Sequence, residues 1–329
     1  MNISILGAGA WGTALAVALS PRHRATLWGR DAAQLARIER DRRNARYLPE
    51  IALPPGMVLE AGLRTACNAA EILLLAIPVA GLRELCTQLR VAAPRTPLVW
   101  LCKGFEQASG LLPHQVVEET LGAARGECGA LSGPSFALEV ARGLPCALTL
   151  AAKDQAFARR AALALHGGRL RVYYSADVVG VEVGGAVKNI LAIAAGISDG
   201  MGLGLNARAA LITRGLAEIS RLGVALGAQP ETIMGLTGMG DLILTATGEL
   251  SRNRRVGLGL ARGTLLSEIL AALGHVAEGV RSAKEVHALA DRLHIEMPIS
   301  RAVNAVLDGR ATAGAALDAL LARDPREEV

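Results

Sequence analysis

The stretch Ile3-Ser4-Ile5-Leu6-Gly7-Ala8-Gly9-Ala10-Trp11-Gly12-Thr13-Ala14 decides how the first half of the chain is read. A short apolar strand runs into a G-x-G-x-x-G turn, and an apolar helix follows through Leu19. In that setting each glycine has a task. Gly7 permits the tight turn, Gly9 lets the backbone approach a pyrophosphate, and Gly12 lets helix and strand pack closely. The helix N-terminus then faces the phosphates. A glycine-rich turn alone is weak evidence; the strand before it and the helix after it make it a dinucleotide-binding fingerprint. The next strand, Ala25 to Trp28, ends in Gly29-Arg30-Asp31. An acidic residue at this point binds the ribose hydroxyls of NAD, whereas an arginine takes the 2′-phosphate of NADP. Arg30 comes first, so NADP is expected ahead of NAD.

Outward from this turn, Asp31 to Arg43 reads as a basic helix with a solvated face, and Tyr47-Leu48-Pro49 opens a proline-rich turn. Apolar strands are then expected at Ala70 to Ile77, Pro97 to Cys102, Ala130 to Ser132, Cys146 to Ala151 and Leu170 to Tyr174. Helices are expected at Val79 to Leu89 and Gln155 to Leu165. This alternation implies a parallel sheet with helices on both faces, whose ligands gather at the carboxyl ends of the strands. That rule singles out Lys103, which directly follows a strand in Lys103-Gly104-Phe105-Glu106; a charged loop start explains it equally well. In Gly133-Pro134-Ser135-Phe136, Ser135 suits an N-cap for a helix from Ala137 to Arg142, while the amides of the same turn suit an anion. Beyond Asp177 the pattern is helical: Ala209 to Leu226, Val256 to Ala261, Leu265 to Leu273, Ser282 to Leu293 and Ile299 to Leu307. The expected fold is an α/β Rossmann-type doubly wound domain at residues 1–177 followed by an all-α domain at 178–329, with a frayed tail from Arg323.

The helical half opens on Gly180-Val181-Glu182-Val183-Gly184-Gly185-Ala186-Val187-Lys188-Asn189-Ile190-Leu191-Ala192-Ile193-Ala194-Ala195-Gly196. From Val187 onward apolar residues fall on every face of a helix, which marks it as buried. An ammonium there is costly unless it is paired or working, although a lysine stem also reaches out to water. Composition sharpens the question. Lys103, Lys153, Lys188 and Lys284 are the only lysines among 35 basic residues. Arginine holds its proton near neutral pH and lysine releases it more readily, so proton transfer cannot use the chain's preferred base.

Two further segments, read as loops, carry suitable chemistry. Gly235-Leu236-Thr237-Gly238-Met239-Gly240-Asp241 places a carboxylate after glycine hinges, a pattern equally typical of a plain turn. Ser251-Arg252-Asn253-Arg254-Arg255 gathers donors that fit a phosphate, and spacing does not say which arginine faces inward.

The remaining composition excludes other classes. With 51% hydrophobic and 20% charged residues the 329-residue chain is globular and long enough for about two domains. Mixed charge and 3% aromatics give no support for nucleic-acid binding, whereas a net charge of +5 is compatible with an anionic small molecule. Five scattered cysteines form no C-x-x-C pair, so neither a disulfide framework nor a metal site is expected, and a reducing cytoplasm fits. No signal peptide is expected, because the strand-like start Ile3 to Leu6 lacks its basic start and apolar core, and no membrane span, because Lys188 and Asp199 interrupt the longest apolar run.

In this order the motifs resemble the bacterial type of NAD(P)-dependent glycerol-3-phosphate dehydrogenase across nearly the whole chain. The resemblance rests on Gly7 to Gly12, Lys103 to Glu106, Leu131 to Ala137, Gly184 to Asn189, Gly238 to Asp241, Ser251 to Arg255 and Val276-Ala277-Glu278-Gly279. It implies a 6-phosphogluconate-dehydrogenase-like pairing of domains and interconversion of sn-glycerol 3-phosphate with dihydroxyacetone phosphate, supplying phospholipid synthesis. Lys188 is implied as general acid and base, with Lys103 and Asp241 completing the polar centre. Gly133, Ser135, Asn189, Ser251, Arg252 and Asn253 are implied on the substrate, Arg252 and Asn253 at its phosphate. Gly7, Gly9, Ala10, Trp11, Gly12, Arg30, Lys103, Ala137, Arg252 and Glu278 are implied on the cofactor, with no metal. The expected partners are the substrate and, at most, a second copy in a homodimer. Val187 departs from the leucine usual before this lysine, and Leu165-His166-Gly167-Gly168 replaces a stretch richer in phenylalanine; neither touches a site residue. A 6-phosphogluconate-type enzyme is the nearest rival, but there asparagine follows the lysine a helical turn later, where this chain has Ala192. A nucleotide sensor without chemistry would have no need of Lys188, Asp241 and Arg252 together.

Overall fold

The structure, a computed structural model, describes residues 1–107, 109–122, 126–274 and 277–324. Val276 of the Val276-to-Gly279 motif and the tail expected to fray beyond Asp324 lie outside the described residues. Contacts divide the chain into two units, one made of Met1–Glu106 and Leu111–Glu182, the other of Gln107–Gly110 and Val183–Val329.

The first unit begins with strand β1 (Asn2–Leu6), helix α1 (Ala10–Leu19), β2 (Arg24–Trp28) and α2 (Ala32–Asp41). A hairpin of β3 (Arg43–Asn44) and β4 (Leu48–Ala52) follows, then β5 (Val58–Glu60), α3 (Leu63–Asn68) and β6 (Ile72–Leu75). Next come α4 (Leu82–Ala92), β7 (Leu98–Trp100), α5 (Pro113–Leu121), β8 (Cys128–Ser132), α6 (Ala137–Ala141), β9 (Cys146–Ala151), α7 (Gln155–Leu165) and β10 (Leu170–Ser175). Among the described residues the main sheet runs β10-β9-β8-β7-β6-β1-β2-β5. Successive residues of a strand face opposite ways, and both faces here are apolar. Ile3 and Ile5 of β1, with Ile72 and Leu74 of β6, join one buried cluster; Leu6, Leu73 and Leu75 join the other. A sheet covered on both faces is the doubly wound arrangement expected from the sequence.

One junction departs from the expected all-parallel order: β9 runs antiparallel to β8. The intervening α6 has five residues, about 7.5 Å of helix, against roughly 16 Å for a five-residue strand. Too short to carry the chain back along the sheet, it lets the next strand return in the opposite direction. Ser135 is not an N-cap either. Phe136 holds that position without a side-chain bond, and Ser135 Oγ donates instead to the Gly133 carbonyl at 3.0 Å. The hairpin β3–β4 and strand β5 occupy the stretch that the prolines suggested was a turn.

Helix α8 (Val178–Gly200) crosses the division between the units after Glu182. In the first unit Glu182 is buried; its Oε1 accepts from Trp100 Nε1 at 2.7 Å and from the His114 amide at 2.8 Å, and its Oε2 lies 2.5 Å from His114 Nδ1. Burial pushes this carboxyl above its ordinary value, opposed by the bonds from His114 and Trp100. The second unit continues α8 and adds α9 (Gly204–Ala225), α10 (Pro230–Ile233), a π-helical segment Leu236–Gly240 and α11 (Asp241–Thr247). It is completed by α12 (Arg252–Ala261), α13 (Leu266–Leu273), α14 (Glu278–Arg292), α15 (Pro298–Leu307) and α16 (Ala313–Leu321). Ile190, Leu191, Ala192 and Ile193 are all at 0% exposure, so α8 is buried on every face, as its sequence requires. By length and composition it is apolar enough to cross a membrane, yet 94% of its most apolar window is buried inside the protein, as in a core helix.

The two segments read as loops in this half are helix starts. Gly235 to Gly240 wind into a π-turn that leads directly into α11, and Ser251 caps α12 by accepting from the Arg254 amide. Glycine's poor helix propensity hides the first from a sequence reading. Its compactness has a packing cause: a Cβ on Gly184 of α8 would lie 2.7 Å from the Thr237 carbonyl oxygen, so α8 and the turn touch backbone to backbone.

Candidate active site

In the first unit the parallel pairing of β2, β1, β6, β7 and β8 sends their carboxyl ends to one edge. From that edge emerge Gly7 to Gly12, Arg30, Lys103, and Gly133 with Ser135. Gly7 has φ +135°, and a Cβ there would lie 2.3 Å from the Ala76 carbonyl oxygen; one on Gly12 would lie 1.9 Å from that of Gly7. Gly9 is the opposite case, with nothing among the described residues within 4 Å of a Cβ position. No side chain caps α1 at Gly9. The first amides of a helix have no partner within it, and here they face an open, glycine-lined turn, which is the donor set a pyrophosphate needs. The residues present fit a bound dinucleotide.

Around this turn, Trp11 is half-buried against the core and Ala137 opens α6. Arg30 is exposed, 3.8 Å from Glu84. Asp31, its rival for the ribose, accepts from the Gln34 amide as the N-cap of α2. Lys103 is half-buried, with Nζ 3.3 Å from the Gly133 carbonyl oxygen. Since Ser135 Oγ donates to that same oxygen, Lys103, Gly133 and Ser135 form one polar cluster.

In the second unit Lys188 is 6% exposed and Asp241 is 1% exposed. The ammonium is ion-paired with Asp241 Oδ1 and donates to Thr245 Oγ1 at 2.9 Å, while Thr245 Oγ1 donates to the Asp241 carbonyl oxygen at 2.6 Å. Lys188 therefore does not snorkel; it is held among groups that offset its burial. Thr245 escaped the sequence reading. Its signal was the four-residue spacing from Asp241, which puts both on one helix face once α11 is recognised.

Asn189 beside it is a bridge. Its Nδ2 lies 3.3 Å from Glu278 Oε2, and its Oδ1 accepts from Asn253 Nδ2 at 2.8 Å. Asn253 Oδ1 in turn accepts from the Gly279 amide at 3.0 Å. One chain of amide bonds thus ties α8 to the first turns of α12 and α14. It also sorts the arginines. Arg254 Nε donates to Asp199 Oδ2 at 2.8 Å and is committed to that ion pair. Arg252 is exposed at the first position of α12, where a helix N-terminus adds its field to the guanidinium.

A turn that fits a pyrophosphate in one unit and a buried, paired lysine in the other are each features of the class of nicotinamide-nucleotide-dependent dehydrogenases. Comparison with known proteins makes the assignment specific. The N-terminal profile of NAD-dependent glycerol-3-phosphate dehydrogenase matches residues 2–158 and the C-terminal profile matches residues 177–318. The chain is 59% identical to glycerol-3-phosphate dehydrogenase (NAD(P)+) of Dechloromonas aromatica over 329 residues, all of both chains. To that of Methylibium petroleiphilum it is 60% identical, covering 100% of this chain and 98% of the relative. The crystal structure of glycerol-3-phosphate dehydrogenase from Coxiella burnetii superposes with a TM-score of 0.93 at 40% identity, covering 98% of this chain and 99% of that one. The chain belongs to the NAD-dependent glycerol-3-phosphate dehydrogenase family, and is an NAD(P)-dependent oxidoreductase.

Proposed function

We propose that the chain interconverts sn-glycerol 3-phosphate and dihydroxyacetone phosphate, with Lys188 as general acid and base. The observation that carries this is the ammonium of Lys188 held between Asp241 and Thr245 in a buried helix. Bound nicotinamide supplies or accepts the hydride at the substrate's second carbon. In the reductive direction Lys188 Nζ polarises the ketone oxygen and gives it a proton, and in the oxidative direction the neutral amine removes the hydroxyl proton. Asp241 and Thr245 fix the direction of Nζ. Arg252, with Asn253 beside it, takes the substrate phosphate, so that binding energy remote from the reacting carbon is realised as positioning. Ser251 supports this end by capping the helix that carries both residues. Lys103, Gly133 and Ser135 are further substrate residues in this reading, and Ala137 and Glu278 are cofactor residues.

The same reading makes residues 1–177 the dinucleotide-binding domain and residues 178–329 the helical domain that carries Lys188 and most of the substrate residues. It prefers NADP, because Arg30 is exposed after β2 while the Asp31 carboxylate caps α2. It places the enzyme in the cytoplasm, supplying glycerol phosphate for phospholipid synthesis. The test is loss of nicotinamide absorbance on adding dihydroxyacetone phosphate to the protein with NADPH. Turnover of that ketone and not of other keto-phosphates is expected; an equal rate on unphosphorylated dihydroxyacetone would refute the phosphate site.

A further inference from the structure

Among the described residues the hairpin β3–β4 pairs only with itself, and the proposed reaction gives it no part. Its Asn44 is nevertheless 1% exposed. The Nδ2 of Asn44 donates to the Ala8 carbonyl oxygen at 3.0 Å and to Thr13 Oγ1 at 2.8 Å. Gln34 of α2 adds a second bond to the Ala8 carbonyl at 3.2 Å. Ala8 is the residue between the first two glycines of the turn, and Thr13 lies in the first helical turn beyond the third. A single amide group therefore spans the phosphate-facing segment from loop to helix. The orientation of that amide is fixed, because a carbonyl oxygen only accepts and the group next to it must be the NH2.

Two features say that this contact does more than fill space. Asn44 Oδ1 is buried with no partner in the protein among the described residues. Within the protein, the bonds described for the Asn44 side chain are both made by its NH2, and both go to the glycine turn and the helix it opens. The second feature is geometric. Carbonyl and amide hydrogen point in opposite directions across a planar trans peptide. Holding the Ala8 carbonyl toward Asn44 and Gln34 turns the Gly9 amide away from them, at the residue whose surroundings are open.

We propose that Asn44, assisted by Gln34, is a positioning residue for cofactor binding: it sets the Ala8–Gly9 peptide so that the turn is already shaped for a dinucleotide pyrophosphate before the ligand arrives. This rests on the reading of Gly7 to Gly12 as the pyrophosphate site. Because NADH and NADPH share the pyrophosphate, the residue acts on both alike, unlike Arg30, which distinguishes them.

The experiment compares wild type with Asn44→Leu, which is close in size and also removes the unpaired oxygen. The dissociation constants of NADH and NADPH, measured by fluorescence titration, rise together by about tenfold, as for loss of a buried bond to a carbonyl. At saturating cofactor, kcat and the KM for dihydroxyacetone phosphate stay within about twofold, and the melting temperature is unchanged or higher. Gln34→Ala, at a half-buried position where folding is not at stake, gives the same pattern at about two- to threefold. Cofactor constants unchanged in both variants would overturn the proposal, as would a loss spread equally over kcat and the ketone KM, which is what a merely structural residue produces. Failure of wild type to bind either nucleotide would instead overturn the pyrophosphate reading itself.

Discussion

Replacing Lys188 with methionine separates the two roles of the buried pair. Methionine retains most of the stem's apolar contact and removes only the ammonium. Asp241, 1% exposed, is then left as a buried carboxylate without its cation. Breaking such a pair from one side costs about 3–5 kcal/mol. For a helical unit of this size that corresponds to a fall in melting temperature of roughly 6–20 °C. Turnover falls for a different reason, loss of the proton donor, and by at least ~10²-fold. Cofactor affinity stays near that of wild type, because Lys188 is not among the residues assigned to the cofactor. The double variant Lys188→Met/Asp241→Asn removes the stranded charge as well, so its melting temperature recovers most of the loss while its turnover does not. Scanning calorimetry with stopped-flow reduction of dihydroxyacetone phosphate reads both quantities. Near-normal turnover in the single variant would refute the assignment of Lys188, and a double variant as unstable as the single would refute the account of the pair.

Three other outcomes are expected. Arg252→Ala lowers kcat/KM for dihydroxyacetone phosphate far more than for its unphosphorylated analogue, and an equal effect on the two in steady-state assays would reassign the phosphate site. Arg30→Ala lowers the NADPH/NADH preference, as read from the ratio of their kcat/KM values; an unchanged ratio would reject the 2′-phosphate role. Glu182→Gln flattens the dependence of stability on pH. The buried carboxyl of Glu182 is raised above its ordinary value of 4.5, so the folded state holds a proton that the unfolded state has lost. Wild-type stability therefore falls as pH rises from that value through the raised one. Glutamine keeps an acceptor for Trp100 and the His114 amide and has no proton to lose, so chemical denaturation at a series of pH values shows a shallower decline in the variant. Identical slopes would mean that Glu182 titrates normally.

The features written in local patterns were legible from the sequence. Strand, glycine turn and helix at Ile3 to Leu19 follow from steric rules, and the all-round apolar surface of α8 marks Lys188 as costly from the sequence alone. What escaped depends on contacts between distant residues. No pattern in Cys146 to Ala151 states the direction of β9; the shortness of α6 decides it. Gly235 to Gly240 has the composition of a loop, yet it is wound where it packs backbone to backbone against Gly184 of α8. Thr245 stayed hidden for the same reason, since its register with Asp241 exists only once that segment is helical. Among Arg252, Arg254 and Arg255, sequence supplied three equal cations, and Asp199, fifty-five residues before Arg254, removes one of them from contention.

Lys188 also bears on how the chain behaves before it is folded. Helix α8 spans Val178–Gly200, so Lys188 and Asn189 stand at its midpoint, where a bilayer would be thickest around it. A lysine at the centre of an inserting helix costs about 2.5–3.5 kcal/mol on translocon scales, an aspartate about as much, and charges near the ends far less. Glu182 and Asp199 lie near the ends and weigh little. The ammonium proposed to move a proton in the folded enzyme thus also weighs, with Asn189 beside it, against a nascent, still-exposed α8 being taken for a membrane segment, and Lys188→Leu would remove both properties at once.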